Sequence, residues 1–246
     1  MGSTGKNKGK GGGSGLVNEP TGEAEKYTDF KNGSGADKWF NNEKLSNFKE
    51  WYAGLTSDER QAIDSYTGSG YGVNKDLYST PWDDMDQYDK QFVSDLYGAL
   101  NKFELKHGIG ITRQSDFQIF GASKGQQMSV EQVKDFLGQS GGIVQSDGFL
   151  SAGADDHGAA IAGSGVVLHF KIPPSKGAVG YIAPMGVPGE NEVLINNNGV
   201  FKADMNSIKQ KGSKVHVDMY WLGQAQMQTI DPKNKSTMAK AKKKKG

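Results

Sequence analysis

Pro188-Gly189-Glu190-Asn191-Glu192-Val193-Leu194-Ile195 is the stretch on which the reading of this chain turns. Two carboxylates one residue apart lead into an apolar run with β-branched residues, which reads as a strand, and Pro188-Gly189 marks a tight turn before it. If the strand begins by Glu190, both acids point to one face, because side chains alternate along a strand. Two acids on one face suit transfer of a sugar through an oxocarbenium-like centre: one carboxylate stabilises the cation while the other orients the incoming nucleophile. A solvated strand end with two surface acids has the same pattern, and these residues alone leave both readings open.

Working outward, extended runs at 166–172 and 178–183 precede this stretch and another at 215–222 follows, with Phe201 and Met205 marking a further strand between. Residues 143–151 read as a strand ending on Ser151. Ser129 with Gln132 three residues on has capping-box spacing and opens a helix through Leu137, which glycines 138, 141 and 142 terminate. Residues 107–113 read as a strand ending on Arg113, one of only two arginines in a chain rich in lysine. A planar guanidinium fork suits two phosphate or carboxylate oxygens, and a strand-end salt bridge is the competing reading. Before it the period is helical: Leu45, Phe48, Trp51, Tyr52 and Leu55 share a face, Thr56 and Glu59 form a second capping box, and a helix is expected over 86–105. Helices first and strands second point to an α+β domain with a largely antiparallel sheet pair.

Composition bounds the rest. The chain has 246 residues and a net charge of +1, with three lysines in residues 1–15, seven in 232–246 and no acid in either end. Setting those lysines aside leaves the body at −9, so the fold itself is not a polyanion-binding surface, while the Lys-rich tail could contact polyanions weakly. Residues 1–36 are a Gly/Ser/Lys-rich stretch expected to be a flexible arm, 37–228 the folded domain and 229–246 a disordered tail. The absence of cysteine excludes disulfides, thiolate nucleophiles and thiolate zinc sites. The four histidines lack metal-ligand spacing, the acids at 81–90 lack a calcium-loop pattern, and no P-loop or nucleophile-elbow context appears. No metal is expected. Without a spanning apolar run or a signal-type leader, a soluble protein is expected.

With Arg113, Ser151 and Glu190-Asn191-Glu192 in chain order, the sequence resembles the R-S-E class of ADP-ribosyltransferase exoenzymes over roughly residues 45 to 225. Three further segments carry the resemblance: Ala62-Ile63-Asp64-Ser65-Tyr66-Thr67-Gly68 with Tyr71 and Asn74, Asp147-Gly148-Phe149-Leu150-Ser151, and Val167-Leu168-His169-Phe170-Lys171-Ile172-Pro173 with Gly180-Tyr181-Ile182. The resemblance implies an ADP-ribosyltransferase fold, N-terminal helices packed on a two-sheet, mainly antiparallel β core, with NAD as substrate. It implies that Arg113 holds the NAD phosphates, that Ser151 bonds the ribose side and fixes Glu192, and that Glu192 stabilises the cationic sugar. Glu190 would position or deprotonate the acceptor, and a glutamate there goes with an arginine acceptor. Tyr66, Tyr71, Asn74 and Gln118 would line the NAD cleft, though Tyr66 and Tyr71 also suit a core.

The implied activity is mono-ADP-ribosyl transfer to arginine of a target protein, with NAD glycohydrolysis as side activity. The chain would act as a monomer in a target or host cytoplasm after delivery by a phage or a specialised secretion system. The composition of residues 152–165 supports an alternative, a virion-associated or structural protein that keeps the fold without turnover. Ser151-Ala152-Gly153 stands where the family has Ser-Thr-Ser, and residues 152–165 hold no arginine, phenylalanine, tyrosine or tryptophan.

Overall fold

Local chemistry starts the helices after Thr56, Asp86 and Ser129 where the sequence expects them, while the helical pattern of Leu45 to Leu55 forms a helix only over Phe48–Ala53. The computed structural model describes residues 27–69, 71–120, 122–123, 125–155, 164–186 and 191–225, the side chains of Ser69 and Tyr71 excepted. It opens with β1 (Thr28–Asp29) and α1 (Gly33–Phe40), both of which begin before residue 36, where composition places the end of the arm. Phe30 and Ala36 are buried, and Asn32 caps α1 by accepting from the Gly35 amide at 2.9 Å. The short α2 (Phe48–Ala53) buries Phe48 and Trp51. α3 (Ser57–Ser69) opens on the expected capping box: Thr56 Oγ1 accepts from the Glu59 amide at 3.2 Å and the Glu59 carboxylate from the Thr56 amide at 2.9 Å. α4 (Tyr71–Ser79) follows, then α5 (Gln87–Asn101), capped by Asp86.

α5 is shorter than its sequence pattern. After Lys102 the apolar spacing drops to two, Phe103 and Leu105 both enter the core, and the chain becomes β2 (Glu104–Leu105). β3 (Ile109–Ser115) runs past Arg113, because Gln114 and Ser115 continue its ladder against Val167 and Val166. α6 (Val130–Gly138) carries the Ser129 capping box complete. The run at 143–151 is two strands, β4 (Ile143–Ser146) and β5 (Leu150–Gly153), broken at Asp147-Gly148. A Cβ on Gly148 would lie 2.7 Å from Asn74 Oδ1 and 2.9 Å from the Tyr78 ring, so the close turn there requires glycine.

The remaining strands are β6 (Val166–Ile172), β7 (Ser175–Lys176), β8 (Val179–Tyr181), β9 (Glu192–Ile195), β10 (Gly199–Ala203), β11 (Lys209–Lys211) and β12 (Lys214–Gln224). The main path runs β4-β10-β12-β6-β3-β5-β9-β8, with β1 added to β3 and β11 to β12; β2 and β7 form a separate ladder. Among the strand pairs of the described residues only β1–β3 and β6–β12 are parallel, so the expected α+β architecture with a mostly antiparallel sheet is what the chain adopts. The two halves of the 143–151 run sit far apart in this order, β4 at an edge and β5 between β3 and β9. β9 begins at Glu192, while Glu190 lies outside the described residues, as do residues 1–26 and 226–246.

One face of the sheet packs on the helices. Phe40 of α1 stacks on Tyr181 of β8 at 4.1 Å, Tyr181 donates its hydroxyl hydrogen to Asp37, and Trp51 of α2 donates to the Ala99 carbonyl of α5 at 2.7 Å. Buried side chains of this size are each worth about 1.5–3 kcal/mol, which holds the short helices that propensity alone would not. Among the described residues no helix is long and apolar enough to cross a membrane.

On the other face His169 Nε2 and His216 Nδ1 lie 2.8 Å apart in a stacked pair, a contact the scattered histidine spacing does not reveal. Burial, then the neighbouring His169, Lys211, Lys209 and Lys214, lowers the His216 pKa to about 4 from the ordinary 6.5. Between those values the unfolded chain takes up a proton that the folded chain refuses, so stability falls as pH drops from about 6.5 to about 4 and is level above that window. The thermal midpoint of wild type should therefore decline across this window more steeply than that of His216→Gln; equal slopes would show that His216 is not the group responsible.

Candidate active site

Three adjacent antiparallel strands bring the distant residues together. The ladder pairs Thr112 of β3 with Gly153 of β5, and Ser151 and Gly153 of β5 with Leu194 and Glu192 of β9. Arg113, next along from Thr112, donates from Nη1 to the Ser151 carbonyl at 2.6 Å. Its Nε is buried and has no hydrogen-bond acceptor among the described residues. A buried guanidinium N–H calls for an oxygen acceptor, so this residue suits the phosphate oxygens of a nucleotide.

Helices α3 and α4 complete the cluster. Tyr66 of α3 is 6% exposed; its hydroxyl accepts from Ser151 Oγ at 3.4 Å and from Asn74 Nδ2 at 3.0 Å. Asn74 of α4 also clamps Phe149 from both sides of its amide group, donating to the Phe149 carbonyl at 3.0 Å and accepting from the Phe149 amide at 2.9 Å. Burial raises the Tyr66 pKa above its ordinary value; Ser151, Asn74 and the Arg113 charge oppose this, and the Glu192 charge adds to it. Arg113 and Glu192 thus both act electrostatically on the hydroxyl that holds Ser151.

Glu192 is 8% exposed at the start of β9. Its carboxylate lies beside Gly186, where a Cβ would stand 3.5 Å from Glu192 Oε2 and 3.4 Å from Thr67 Cγ2. Around Ser151 the support extends to Tyr78, whose hydroxyl lies 2.9 Å from Ser146 Oγ, which in turn donates to the Gly148 carbonyl at 2.9 Å. Burial raises the pKa of both Tyr78 and Asp147. Tyr78 and Ser146 carry no sequence signal of their own, whereas Thr67 and Gly148 lie in segments that the resemblance already marks.

Of the residues singled out in the sequence, Arg113, Ser151, Tyr66, Asn74 and Glu192 therefore gather. Gln118 stands exposed on a short turn at Phe117–Phe120, its amide bonded to Asp116, and does not join that network. Tyr71 begins α4, with its side chain outside the described residues, and Glu190 is outside them too. Among the described residues no group of three or more His, Asp or Glu side chains is gathered as a metal ligand set.

A separate cavity of about 360 Å³ is lined by Thr112, His169 and His216, with Asp29, Asp155, Asp218, Lys171, Lys209 and Lys211. Its acids and lysines balance, and Arg113, Ser151 and Glu192 are not part of it.

Against known proteins, the family described as ADP-ribosyltransferase exoenzyme matches residues 37–222. No curated protein matches. Among solved structures, Plx2a, an ADP-ribosyltransferase toxin from Paenibacillus larvae, is 24% identical with a TM-score of 0.66, covering 79% of this chain and 99% of that one. The Clostridium limosum C3 exoenzyme is 19% identical with a TM-score of 0.66, covering 80% and 98%. C3stau2 from S. aureus, solved with NAD, is 18% identical with a TM-score of 0.62, covering 81% and 99%.

The clamp on Phe149 makes a stability prediction. Asn74→Ala leaves the Phe149 amide and carbonyl without their side-chain partner, which should destabilise the fold by about 1–3 kcal/mol in urea unfolding. A midpoint unchanged from wild type would show that the clamp carries no weight.

Proposed function

This chain belongs to the ADP-ribosyltransferase exoenzyme family, and from that premise we propose that it transfers ADP-ribose from NAD to an arginine of a target protein. The observation that carries the reading is the joining of Arg113, Ser151 and Glu192 through one three-strand ladder, with a buried guanidinium Nε that has no acceptor among the described residues. Arg113 holds the NAD phosphates. Ser151, kept in place by Tyr66, faces the ribose side. Tyr66 and Asn74 thereby act on NAD through Ser151, and Tyr71 and Gln118 remain assigned to the cleft by the resemblance alone.

The bond from the nicotinamide-bearing ribose carbon to the ring nitrogen breaks, and its electron pair leaves with neutral nicotinamide. The ribose carbon becomes cationic, and the Glu192 carboxylate stabilises it. A guanidino nitrogen then forms the new C–N bond and loses its proton toward Glu190. Water in place of the guanidine gives ADP-ribose, the glycohydrolase side reaction. Stabilisation of charge that develops only in the transition state raises turnover without tightening NAD binding. The arginine assignment rests on glutamate rather than glutamine at position 190. The composition of residues 152–165 supports a second reading, a protein that keeps the fold without turnover. Delivery by phage or specialised secretion, a monomeric state and weak polyanion contact through the Lys-rich tail belong to the same proposal.

Nicotinamide release from NAD tests it. Glu192→Gln keeps the shape and removes the charge, so release should fall by about a hundredfold or more, and wild-type release should rise with agmatine, an arginine analogue. Release that ignores agmatine would contradict the arginine acceptor. No release from wild type would favour the inactive reading.

A further inference from the structure

A surface tyrosine ordinarily lays its ring against the protein and leaves the hydroxyl in water. Tyr78 of α4 is the other way round. The residue is 40% exposed, yet its hydroxyl is the buried end: burial is the main reason its pKa stands above the ordinary value, opposed by the bond to Ser146 and the Arg113 charge and reinforced by the Asp147 charge. Ser146 Oγ gives its own hydrogen to the Gly148 carbonyl, so in the 2.9 Å contact between the two hydroxyls the tyrosine donates. One edge of the ring closes on Gly148, where a Cβ would lie 2.9 Å from Cζ and 3.0 Å from Cε2. What Tyr78 shows to solvent is therefore apolar ring, pinned at its inner end.

The helix relates this ring to the site. Asn74 and Tyr78 are four residues apart and share one face of α4. Both reach residues 146–149: Asn74 bonds Phe149 and Tyr66, the tyrosine that holds Ser151, while Tyr78 meets Ser146 and Gly148. The Arg113 charge is felt at the hydroxyls of both tyrosines. Arg113 thus borders two neighbourhoods, that of Ser151 and Tyr66, on which Glu192 also acts, and that of Tyr78.

NAD has its parts in a matching order: nicotinamide and its ribose at one end, two phosphates in the middle, adenosine at the other end. With the reacting ribose at Glu192 and Ser151 and the phosphates on Arg113, the neighbourhood left for adenosine is that of Tyr78. We propose that the exposed ring of Tyr78 is the platform on which the adenine of NAD stacks, with the bond to Ser146 holding the ring in place. The inference rests on the transferase reading above and names a residue that makes the site prefer a dinucleotide. A ring already anchored loses little freedom when a base covers it, so the stacking contact is kept as affinity.

The test sets NAD beside nicotinamide mononucleotide, which carries the same reacting bond and no adenosine, with nicotinamide release by the full chain as the readout. Calorimetric titration of ADP-ribose, which needs no turnover, accompanies it. Tyr78→Ala should raise the KM for NAD and weaken ADP-ribose binding by about tenfold or more. Its kcat on NAD and its kcat/KM on the mononucleotide should stay within about twofold of wild type. Tyr78→Phe keeps the ring and should hold ADP-ribose within about threefold of wild type. Three results would each overturn the inference alone: ADP-ribose binding by Tyr78→Ala equal to wild type, losses on NAD and the mononucleotide that run in step, or a loss in Tyr78→Phe as large as in Tyr78→Ala. A wild type that neither binds ADP-ribose nor releases nicotinamide overturns the transferase reading and this inference with it.

Discussion

The hydrogen bond from Arg113 to the Ser151 carbonyl is the constraint around which the site is built. It crosses from β3 to β5, and β5 in turn pairs with β9, so one guanidinium, one hydroxyl and one carboxylate take their places from backbone ladders and not from loops. Sites carried on strands hold their geometry more closely than sites on flexible connections. The same bond uses only part of the guanidinium's donor capacity. Nε is left buried and without an acceptor among the described residues, a donor that calls for an oxygen partner.

From the helical side, Asn74 and Tyr66 provide the second constraint. A tyrosine hydroxyl buried in the core needs partners, and here they are the catalytic-side serine and the asparagine that clamps Phe149. The turn at Asp147-Gly148 makes this approach possible, because any side chain at residue 148 would meet Asn74 and Tyr78. Packing, turn chemistry and the site are therefore coupled. A change that disturbs Asn74 should be felt at Ser151 before it is felt elsewhere.

Much of this was legible in the sequence where the signal is local. The capping boxes at Thr56 and Ser129 rest on contacts three residues apart, and both form. The α+β order followed from the change of apolar period. The split of residues 143–151 had one local signal, the Asp147-Gly148 turn, but that the two halves part company follows only from their pairing partners, β10 for one half and β3 and β9 for the other. The His169–His216 pair, the support given by Tyr78 and the parallel pairing of β1 depend on residues far apart in the chain. For the site itself, Arg113, Ser151 and Glu192 stood out as polar residues on apolar strands.

Family membership gives the chemistry a frame, and the geometry gives each residue a reason to be there. The central claim is that Arg113 is an NAD-binding fork whose free donors meet phosphate oxygens. Calorimetric titration of NAD into wild type and Arg113→Lys tests it most directly. A lysine keeps the charge but cannot reproduce two parallel hydrogen bonds, so the account predicts affinity lower by about tenfold or more with the fold intact. Equal affinity in the two proteins would contradict it.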